Sequence, residues 1–325
     1  MRAAVYERLG PADVLHVTEL PDPAPGPGEV RVEVHVSGVN PTDWKSRSAG
    51  PGKRMPFEFV VPDQDGSGEI DAVGEGVDPG RVGERVWLYL AQRGRQHGTA
   101  AQWVCLPEHL AVPLPDGIDY EMGASLGVPA LTAAHALLCD GPVAGKTVLV
   151  SGGAGAVGHF AIELGRRAGA RVITTVSSEA KAQLARAAGA HVVVNYSEGD
   201  TLAEIRRAAP DGVDRIVEVA PSNLDLDSRL LSLGGVVVMY ASTDEDPVVP
   251  VRSFMNLRAS IRFMLLYLVT PEHLRAAVTE VSAALGEGRL SPLPYRRFSL
   301  DEIAEAHRAV EAGTVGKVIV EIGRG

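Results

Sequence analysis

The residues of this chain whose types and spacing could do chemistry begin with a glycine-rich stretch, "SGGAGAVGH", at positions 151–159. It follows the apolar run "KTVLV" and precedes the helix-like segment "FAIELGRRAGA". Three of its glycines match G-x-G-x-x-G, a pattern that permits a tight turn, close approach of the backbone to a pyrophosphate, and close helix–strand packing. A plain flexible turn is the alternative, but the strand-to-helix context favours a dinucleotide-binding loop. We expect cofactor contacts from Gly153, Ala154, Gly155, Ala156, Val157 and Gly158.

The strand that follows this helix indicates which dinucleotide binds. An NAD site usually has an Asp or Glu about 20 residues after the glycines, where it holds the ribose hydroxyls. The segment "RVITTVSSEAK" has no acid at the strand end, which carries Ser177 and Ser178, and Lys181 lies just inside the next helix. A 2′-phosphate would meet hydroxyls and a cation there, so the pattern favours NADPH. In the alternative interpretation Lys181 is an ordinary solvated helix residue.

The elements that position these residues belong to an α/β protein with two textures. The first third alternates short strand-like runs, such as "EVRVEVHVSGV", with Pro and Gly, and predicts a compact β-rich, barrel-like unit. From about residue 120, apolar strands alternate with Ala-rich helices, which is typical of βαβ units in a doubly wound parallel sheet. The final stretch "FSLDEIAEAHRAVEAGTVGKVIVEI" adds one helix and one strand.

Composition narrows the environment and the partners. The chain has 325 residues, and 31 Lys and Arg against 41 Asp and Glu give a net charge of −10 without a basic block, which disfavours nucleic acid. The two cysteines are too few for a disulfide framework and suit a reducing compartment. The start lacks an apolar signal region, and the most apolar stretch, "FMLLYLV", is too short to span a bilayer. We therefore expect a cytoplasmic protein without membrane partners.

Four stretches resemble a known family in their order and spacing: "VSGVNPTDWKSRSAG", "PDQDGSGEIDAVG", "GASLGVPALTAAHALL" and the segment from "VLVSGGAGAVG" to "HVVVNY". They are similar to the zeta-crystallin-like quinone oxidoreductases of the medium-chain dehydrogenase/reductase superfamily, over nearly the whole chain. The resemblance implies a GroES-like β-barrel catalytic domain and a Rossmann domain. We place them at residues 1–122 and 123–265, with residues 266–325 completing the catalytic domain.

The same resemblance addresses the metal. Zinc-dependent relatives carry Cys, His and Cys at three positions that hold Asn40, Gln64 and Val128 in this chain. A catalytic zinc needs three good donors and an open position, so the resemblance predicts a metal-free site. Without zinc, alcohol oxidation is disfavoured. The remaining chemistry is hydride transfer from the nicotinamide C4 of NADPH to a quinone or to the β-carbon of an α,β-unsaturated carbonyl.

The family pattern also assigns individual residues. It places Asn40 beside the nicotinamide, Thr132 close to its ring and Tyr196 beside the 2′-phosphate. As alternatives, Asn40 could cap the turn before Pro41, Thr132 could bond its own helix and Tyr196 could simply end a strand. We also assign Tyr240 and Lys317 to the cofactor site.

Two departures from the family pattern concern the substrate. Lys45 stands where many quinone reductases have Tyr, so "NPTDWK" looks more like relatives that reduce enones. Asp43 and Lys45 are expected to form a polar pair at the pocket mouth and are catalytic candidates with Asn40 and Thr132, although Lys45 could equally be a solvated surface residue. Asp63 replaces a family glycine, and its role is open.

Three functions follow as hypotheses. The first is an NADPH-dependent, metal-free reductase of quinones or enones, and the second is a 2-enoyl thioester reductase. The third is a structural or regulatory NADPH-binding protein with little turnover, as crystallin-type relatives can be. The family also implies a homodimer formed through the Rossmann domain, for which the apolar segment "ASIRFMLLYLV", residues 259–269, is the candidate edge.

Overall fold

The chain divides into two compact units, Met1–Val128 with Pro294–Gly325, and Pro129–Leu293. A computed structural model of the chain describes residues 1–50, 52–243 and 246–323. Among these residues no helix combines the length and the apolar character needed to cross a membrane.

The first unit opens with a strand-rich segment. Its strands are β1 (Arg2–Val5), β2 (His16–Glu19), β3 (Glu29–Gly38), β4 (Asp65–Val73), β5 (Arg85–Leu88), β6 (Trp103–Pro107) and β7 (Ala111–Pro113). Its helices are α1 (Pro41–Arg47) and α2 (Tyr120–Leu138), within which the boundary between the units falls. The apolar–polar alternation of β3 explains its place at the centre of a sheet, because Val30, Val32, Val34 and Val36 are buried while the residues between them are not.

The second unit alternates strands and helices, as the sequence predicts. Its strands are β8 (Thr147–Val150), β9 (Arg171–Val176), β10 (Val192–Asn195), β11 (Val213–Glu218), β12 (Leu231–Met239) and β13 (Ser260–Phe263). Its helices are α3 (Ala156–Arg167), α4 (Glu179–Ala187), α5 (Thr201–Ala208), α6 (Leu224–Leu230), α7 (Val251–Asn256) and α8 (Pro271–Gly286).

The six strands of the second unit form one parallel sheet in the order β10-β9-β8-β11-β12-β13. The chain proceeds outward from β8 in one direction and then resumes at β11 in the other. The order therefore reverses between β8 and β11. In open parallel sheets, ligands bind beyond the carboxyl ends of the strands at such a reversal.

The last segment returns to the first unit as β14 (Tyr295–Ser299), α9 (Ile303–Glu311) and β15 (Lys317–Glu321). These strands complete a seven-stranded sheet of order β14-β15-β3-β4-β5-β7, in which β6 also pairs with β3. Pairing of β15 with β3 sets Ile319 opposite Gly38, so the C-terminal strand lies beside the segment that leads into α1.

The boundaries between the units differ from the expected divisions at 122/123 and 265/266. Residues 123–128 stay with the first unit, because the N–H of Val128 donates to the Asp65 carboxylate at the start of β4. Residues 266–293 stay with the second unit, because Arg167 on α3 bonds Glu280 and Glu287 on and after α8. The return begins only at Pro294.

Candidate functional site

The glycine loop lies at the reversal point of the parallel sheet, between the end of β8 and the start of α3. Gly153 and Gly158 are required by packing, since a Cβ on Gly153 would overlap the Thr174 hydroxyl and one on Gly158 would overlap the carbonyl of Gly152. Gly155 is different. A Cβ there would meet only the Gly152 oxygen, at 3.3 Å. The protein's own packing would therefore accept a Cβ at 155 after a small shift of the Gly152 carbonyl, whereas a pyrophosphate at the helix N-terminus requires its absence.

The serine and lysine side chains expected around a 2′-phosphate lie together at the carboxyl end of β9. The Lys181 ammonium donates to the Ser177 hydroxyl at 2.8 Å, and the Ser178 hydroxyl accepts from the Lys181 backbone N–H at the start of α4. Tyr196 follows β10, and its exposed ring contrasts with its backbone N–H, which donates to Val176 at the end of β9. The nearest acid in sequence, Glu179, is engaged by Arg186 at 2.6 Å. A partly exposed corner that contains the Lys181 cation results.

On the other side of the reversal point, the end of β11 carries an acid, Glu218, that was not among the predicted site residues. Glu218 ends β11, is only 1% exposed, and accepts hydrogen bonds from the N–H groups of Val219 and Ala220. Its backbone carbonyl accepts from the N–H of Tyr240, a predicted cofactor residue, and burial together with Glu218 raises the pKa of the Tyr240 hydroxyl. The sequence feature that could have identified Glu218 is its position as an acid near the end of the apolar strand-like run "DRIVEVA".

Thr132 lies in the part of α2 that belongs to the second unit and is only 5% exposed. Across the part of the chain that the structure describes, its hydroxyl has no hydrogen-bond partner. The alternative in which this hydroxyl bonds its own helix is therefore not the observed arrangement. Its approach to a nicotinamide ring stays a prediction.

In the first unit, Asn40 and Lys317 lie together around the buried carboxylate of Asp65. The Asn40 amide donates to Asp65 Oδ2 at 2.7 Å, and the Lys317 ammonium donates to Asn40 Oδ1 at 2.7 Å. The Val128 N–H donates to both Asp65 oxygens, at 2.8 and 2.9 Å. Lys317 Nζ is 4.0 Å from Asp65 Oδ2, and Asn40, Asp65 and Lys317 are all buried.

Burial and neighbouring charges shift the pKa values of Asp65 and Lys317 in opposite directions. Burial raises the pKa of Asp65 to about 6, although Lys317 and the Val128 N–H favour the ionised form. Burial likewise lowers the pKa of Lys317, while the carboxylates of Asp65 and its neighbours favour the ammonium. Sequence reasoning selected Asn40 and Lys317 as site residues, and it noted a carboxylate at Asp65 near the site without assigning it a role.

The three positions matched to zinc ligands are engaged in other contacts. Asn40 and the Val128 backbone both bond Asp65, and Gln64 donates to Gln92 Oε1 at 3.0 Å. Within residues 1–50, 52–243 and 246–323, no group of three or more His, Cys, Asp or Glu could hold a metal. An amide and a valine are poor zinc donors, so the donor set does not fit that ion.

The expected pairing of Asp43 with Lys45 was wrong. Asp43 is 4% exposed, and its Oδ2 accepts the Asn40 N–H at 2.7 Å, so it caps the start of α1. Burial and the charges of Asp63 and Asp65 raise its pKa well above the ordinary value. Lys45 is exposed, with its ammonium 5.8 Å from the centre of the Trp44 ring. Residues two apart on a helix do not face each other.

Asp63, whose role the sequence left open, is a buried structural carboxylate. It accepts a hydrogen bond from Ser37 at 3.0 Å and lies 3.2 Å from Nε2 of His307 on α9. Its φ of 77° is in the left-handed region, which glycine adopts more readily than aspartate.

Comparison with known proteins agrees with the division of the chain into a GroES-like part and a nucleotide-binding part. Residues 26–116 match the family model described as "Alcohol dehydrogenase GroES-like domain", and residues 156–283 match "Zinc-binding dehydrogenase". The quinone oxidoreductase of Rattus norvegicus is 33% identical over 98% of this chain and 97% of its own length, and that of Homo sapiens is 32% identical over the same shares.

Solved structures give the same result for the fold. A mycobacterial protein in complex with NADPH has a TM-score of 0.85 at 28% identity and covers 99% of this chain and 100% of its own. An NAD-dependent alcohol dehydrogenase has a TM-score of 0.87 at 29% identity, with the same coverage. The expected fold, a GroES-like domain with a Rossmann-like parallel-sheet domain, is confirmed.

Replacing Lys317 with Met tests the cluster around Asp65. The substitution leaves a buried carboxylate without its cation, so we expect the free energy of unfolding at pH 7.5 to fall by about 3 to 5 kcal/mol. The loss should shrink below pH 6, where Asp65 takes up a proton. Urea unfolding measures both effects, with the exposed Lys45→Met as control, and a loss no larger than that of the control would contradict the assignment.

Two glycine variants separate packing from ligand binding. Gly155→Val should fold with nearly the wild-type melting temperature and lose most of its dinucleotide affinity, because the added side chain enters the space left for the ligand. Gly158→Val should instead fold poorly, because its side chain overlaps the protein backbone. Thermal melts and NADPH titration of the same preparations test this pair. A well-folded Gly155→Val protein with normal affinity would mean that the dinucleotide binds elsewhere.

Proposed function

The chain belongs to the zeta-crystallin-like quinone oxidoreductases of the medium-chain dehydrogenase/reductase superfamily, and we propose from this premise that it is an NADPH-dependent, metal-free reductase of quinones or enones. It is an oxidoreductase that uses a nicotinamide cofactor. The observation that carries the finer assignment is the contact of Lys181 with Ser177 at the strand end where an NAD site would have an acid.

The residues of this chain fit a dinucleotide phosphate at three places. The open Cβ position of Gly155 and the N–H groups that begin α3 suit the pyrophosphate. Lys181 and the hydroxyl of Ser177 suit the 2′-phosphate through charge-assisted hydrogen bonds. When bound, the cofactor supplies a hydride from its nicotinamide C4.

The proposed task of the first unit is to hold Asn40 in one orientation. Its amide nitrogen donates to Asp65 and, at 3.3 Å, to the carbonyl of Gly38, while its oxygen accepts from Lys317. A side chain whose amide nitrogen and oxygen are both bonded keeps one orientation, and a fixed orientation is how a protein converts an encounter into an aligned reaction. Our proposal assigns the catalytic alignment to Asn40 and Thr132.

A homodimer is part of the same proposal. Strand β13 is the last strand of the parallel sheet as described, and Phe263, Leu265 and Leu268 at and after its end are 71%, 52% and 74% exposed. Unpaired strand edges with large apolar side chains favour pairing with another copy. Sedimentation of the 34.2 kDa chain at micromolar concentration should give twice its mass, and a monomer would contradict this part of the proposal.

Cofactor choice is tested at Lys181. We expect the wild type to bind NADPH more tightly than NADH, and Lys181→Ala to weaken NADPH binding by about 1.5 to 3 kcal/mol through loss of a charge-assisted contact. Affinity for NADH, which lacks the 2′-phosphate, should not change. Lys146→Ala, at the amino end of β8, is the matched control. Equal affinities of the wild type for NADPH and NADH would contradict the NADPH assignment.

The reaction is tested by following NADPH oxidation with 1,2-quinones, alkyl enones and enoyl thioesters, before and after exhaustive chelation. We expect turnover with the quinones or the enones that survives chelation. Preference for thioesters would favour the enoyl thioester reductase. Tight NADPH binding without turnover on any acceptor would favour the crystallin-like alternative, and loss of activity on chelation would refute the metal-free site.

A further inference from the structure

The turn that follows β11 begins with a buried carboxylate that the proposed hydride transfer does not use. Glu218 ends β11 and is only 1% exposed. Its Oε1 accepts hydrogen bonds from the Val219 N–H at 2.9 Å, the Ala220 N–H at 2.6 Å and the Asn223 amide at 3.2 Å. Burial raises the pKa of Glu218, whereas these donors favour its carboxylate. Residues 219–223 form the β11 turn, and one oxygen holds both ends of this turn.

The β11 turn also contacts the glycine loop. The Asn223 amide nitrogen lies 3.4 Å from the Ser151 hydroxyl, and the Ser151 N–H donates to the Val217 carbonyl at 3.0 Å. Ser151 directly precedes Gly152, and a Cβ on Gly152 would be 3.4 Å from a methyl group of Val219. The Val219 side chain therefore lies against the glycine loop. The loop and the turn are the two sides of the crevice that a parallel sheet forms where its strand order reverses.

The two sides of this crevice offer different chemistry to a ligand. On the side of the glycine loop, the N–H groups that begin α3 suit a phosphate. On the side of the β11 turn, the N–H groups of Val219 and Ala220 both donate to Glu218, so they are not available to an anion. This side offers the apolar Val219 side chain instead, which is 36% exposed. An apolar surface beside an anion site fits the face of a ring or a sugar.

We propose that Glu218 is a positioning residue that turns the N–H groups of Val219 and Ala220 away from the crevice and holds Val219 as an apolar wall for a ring or sugar face of the dinucleotide. This inference rests on the proposed cofactor site. The Glu218 carboxylate does not itself touch the ligand. It orders the β11 turn before the ligand arrives, and a surface that is ordered in advance loses less entropy when it binds.

Two substitutions of Glu218 test the positioning role. Glu218→Ala removes the acceptor that holds the β11 turn, so we expect the dissociation constant for NADPH to rise about tenfold, an effect comparable to the loss of one hydrogen bond. Glu218→Gln keeps an oxygen that can accept the same bonds, so its dissociation constant should stay within about twofold of the wild-type value. Asp225→Ala, which removes an exposed carboxylate from α6, is the matched control and should bind NADPH like the wild type.

Two further measurements do not require a variant of the buried acid to fold. Val219→Thr keeps the shape of the exposed side chain but replaces one methyl group with a hydroxyl, so it should raise the dissociation constant for NADPH about fourfold. Amide hydrogen exchange of the wild type without any ligand should be at least about tenfold slower at Val219 and Ala220 than in an unstructured peptide, because both N–H groups already donate to Glu218.

Three results would overturn the positioning role. They are rapid exchange of both N–H groups in the wild type, wild-type affinity in Val219→Thr, and affinity in Glu218→Gln as weak as in a folded Glu218→Ala protein. If Glu218→Ala does not fold, the exchange measurement and Val219→Thr decide the question. Failure of the wild type to bind NADPH would instead overturn the proposed cofactor site, and the exchange measurement, which uses no ligand, would still report whether Glu218 holds the β11 turn.

Discussion

The buried carboxylate of Asp65 imposes the constraint on which the first unit depends. A charge removed from water must be balanced by fixed donors, and removing one of them costs several kcal/mol. Its partners come from the residue before α1, from α2 and, through Asn40, from β15, so one carboxylate binds together segments that are remote in sequence. Pairing of β15 with β3 brings Lys317 to this point. The return of the chain to the first unit through β15 therefore completes the sheet and also brings Lys317 to the Asp65 carboxylate.

The second unit holds its buried acid with backbone and amide donors instead of with a cation. Glu218 accepts hydrogen bonds from the N–H groups of Val219 and Ala220 and from the Asn223 amide, without an Arg or Lys among its hydrogen-bond partners in the described residues. In the Asp65–Lys317 cluster the charge of each group favours the ionised form of the other. Burial raises the pKa of Glu218 above its ordinary value, while the donors around it favour the carboxylate.

The parts of the fold and site that follow from local pattern could be predicted from the sequence. The glycine spacing, the strand–helix alternation and the residues Ser177, Ser178 and Lys181 lie within short segments, whose periodicity and turn chemistry are local. The role of Asp65 could not be identified in this way, because its partners are spread over the chain and Asn40 is 277 residues from Lys317. The division of the domains depended on contacts of α3 with α8, which no local pattern contains. Asp43 was misjudged because its burial is a property of the packed unit.

Asp63 shows how a residue can keep an unfavourable backbone conformation. A side chain at φ 77° costs of order 1 kcal/mol or more relative to glycine. The Asp63 carboxylate offsets this strain with Ser37 on β3 and His307 on α9, all of them buried. Ser37 in turn lies 2.8 Å from the Thr99 hydroxyl, which donates to the Asp65 carbonyl at 2.6 Å. Contacts through Ser37 and Thr99 therefore connect the acid at 63 to the backbone at 65. A glycine would remove the strain, but it would also remove the connection between α9 and the strand that carries the central carboxylate.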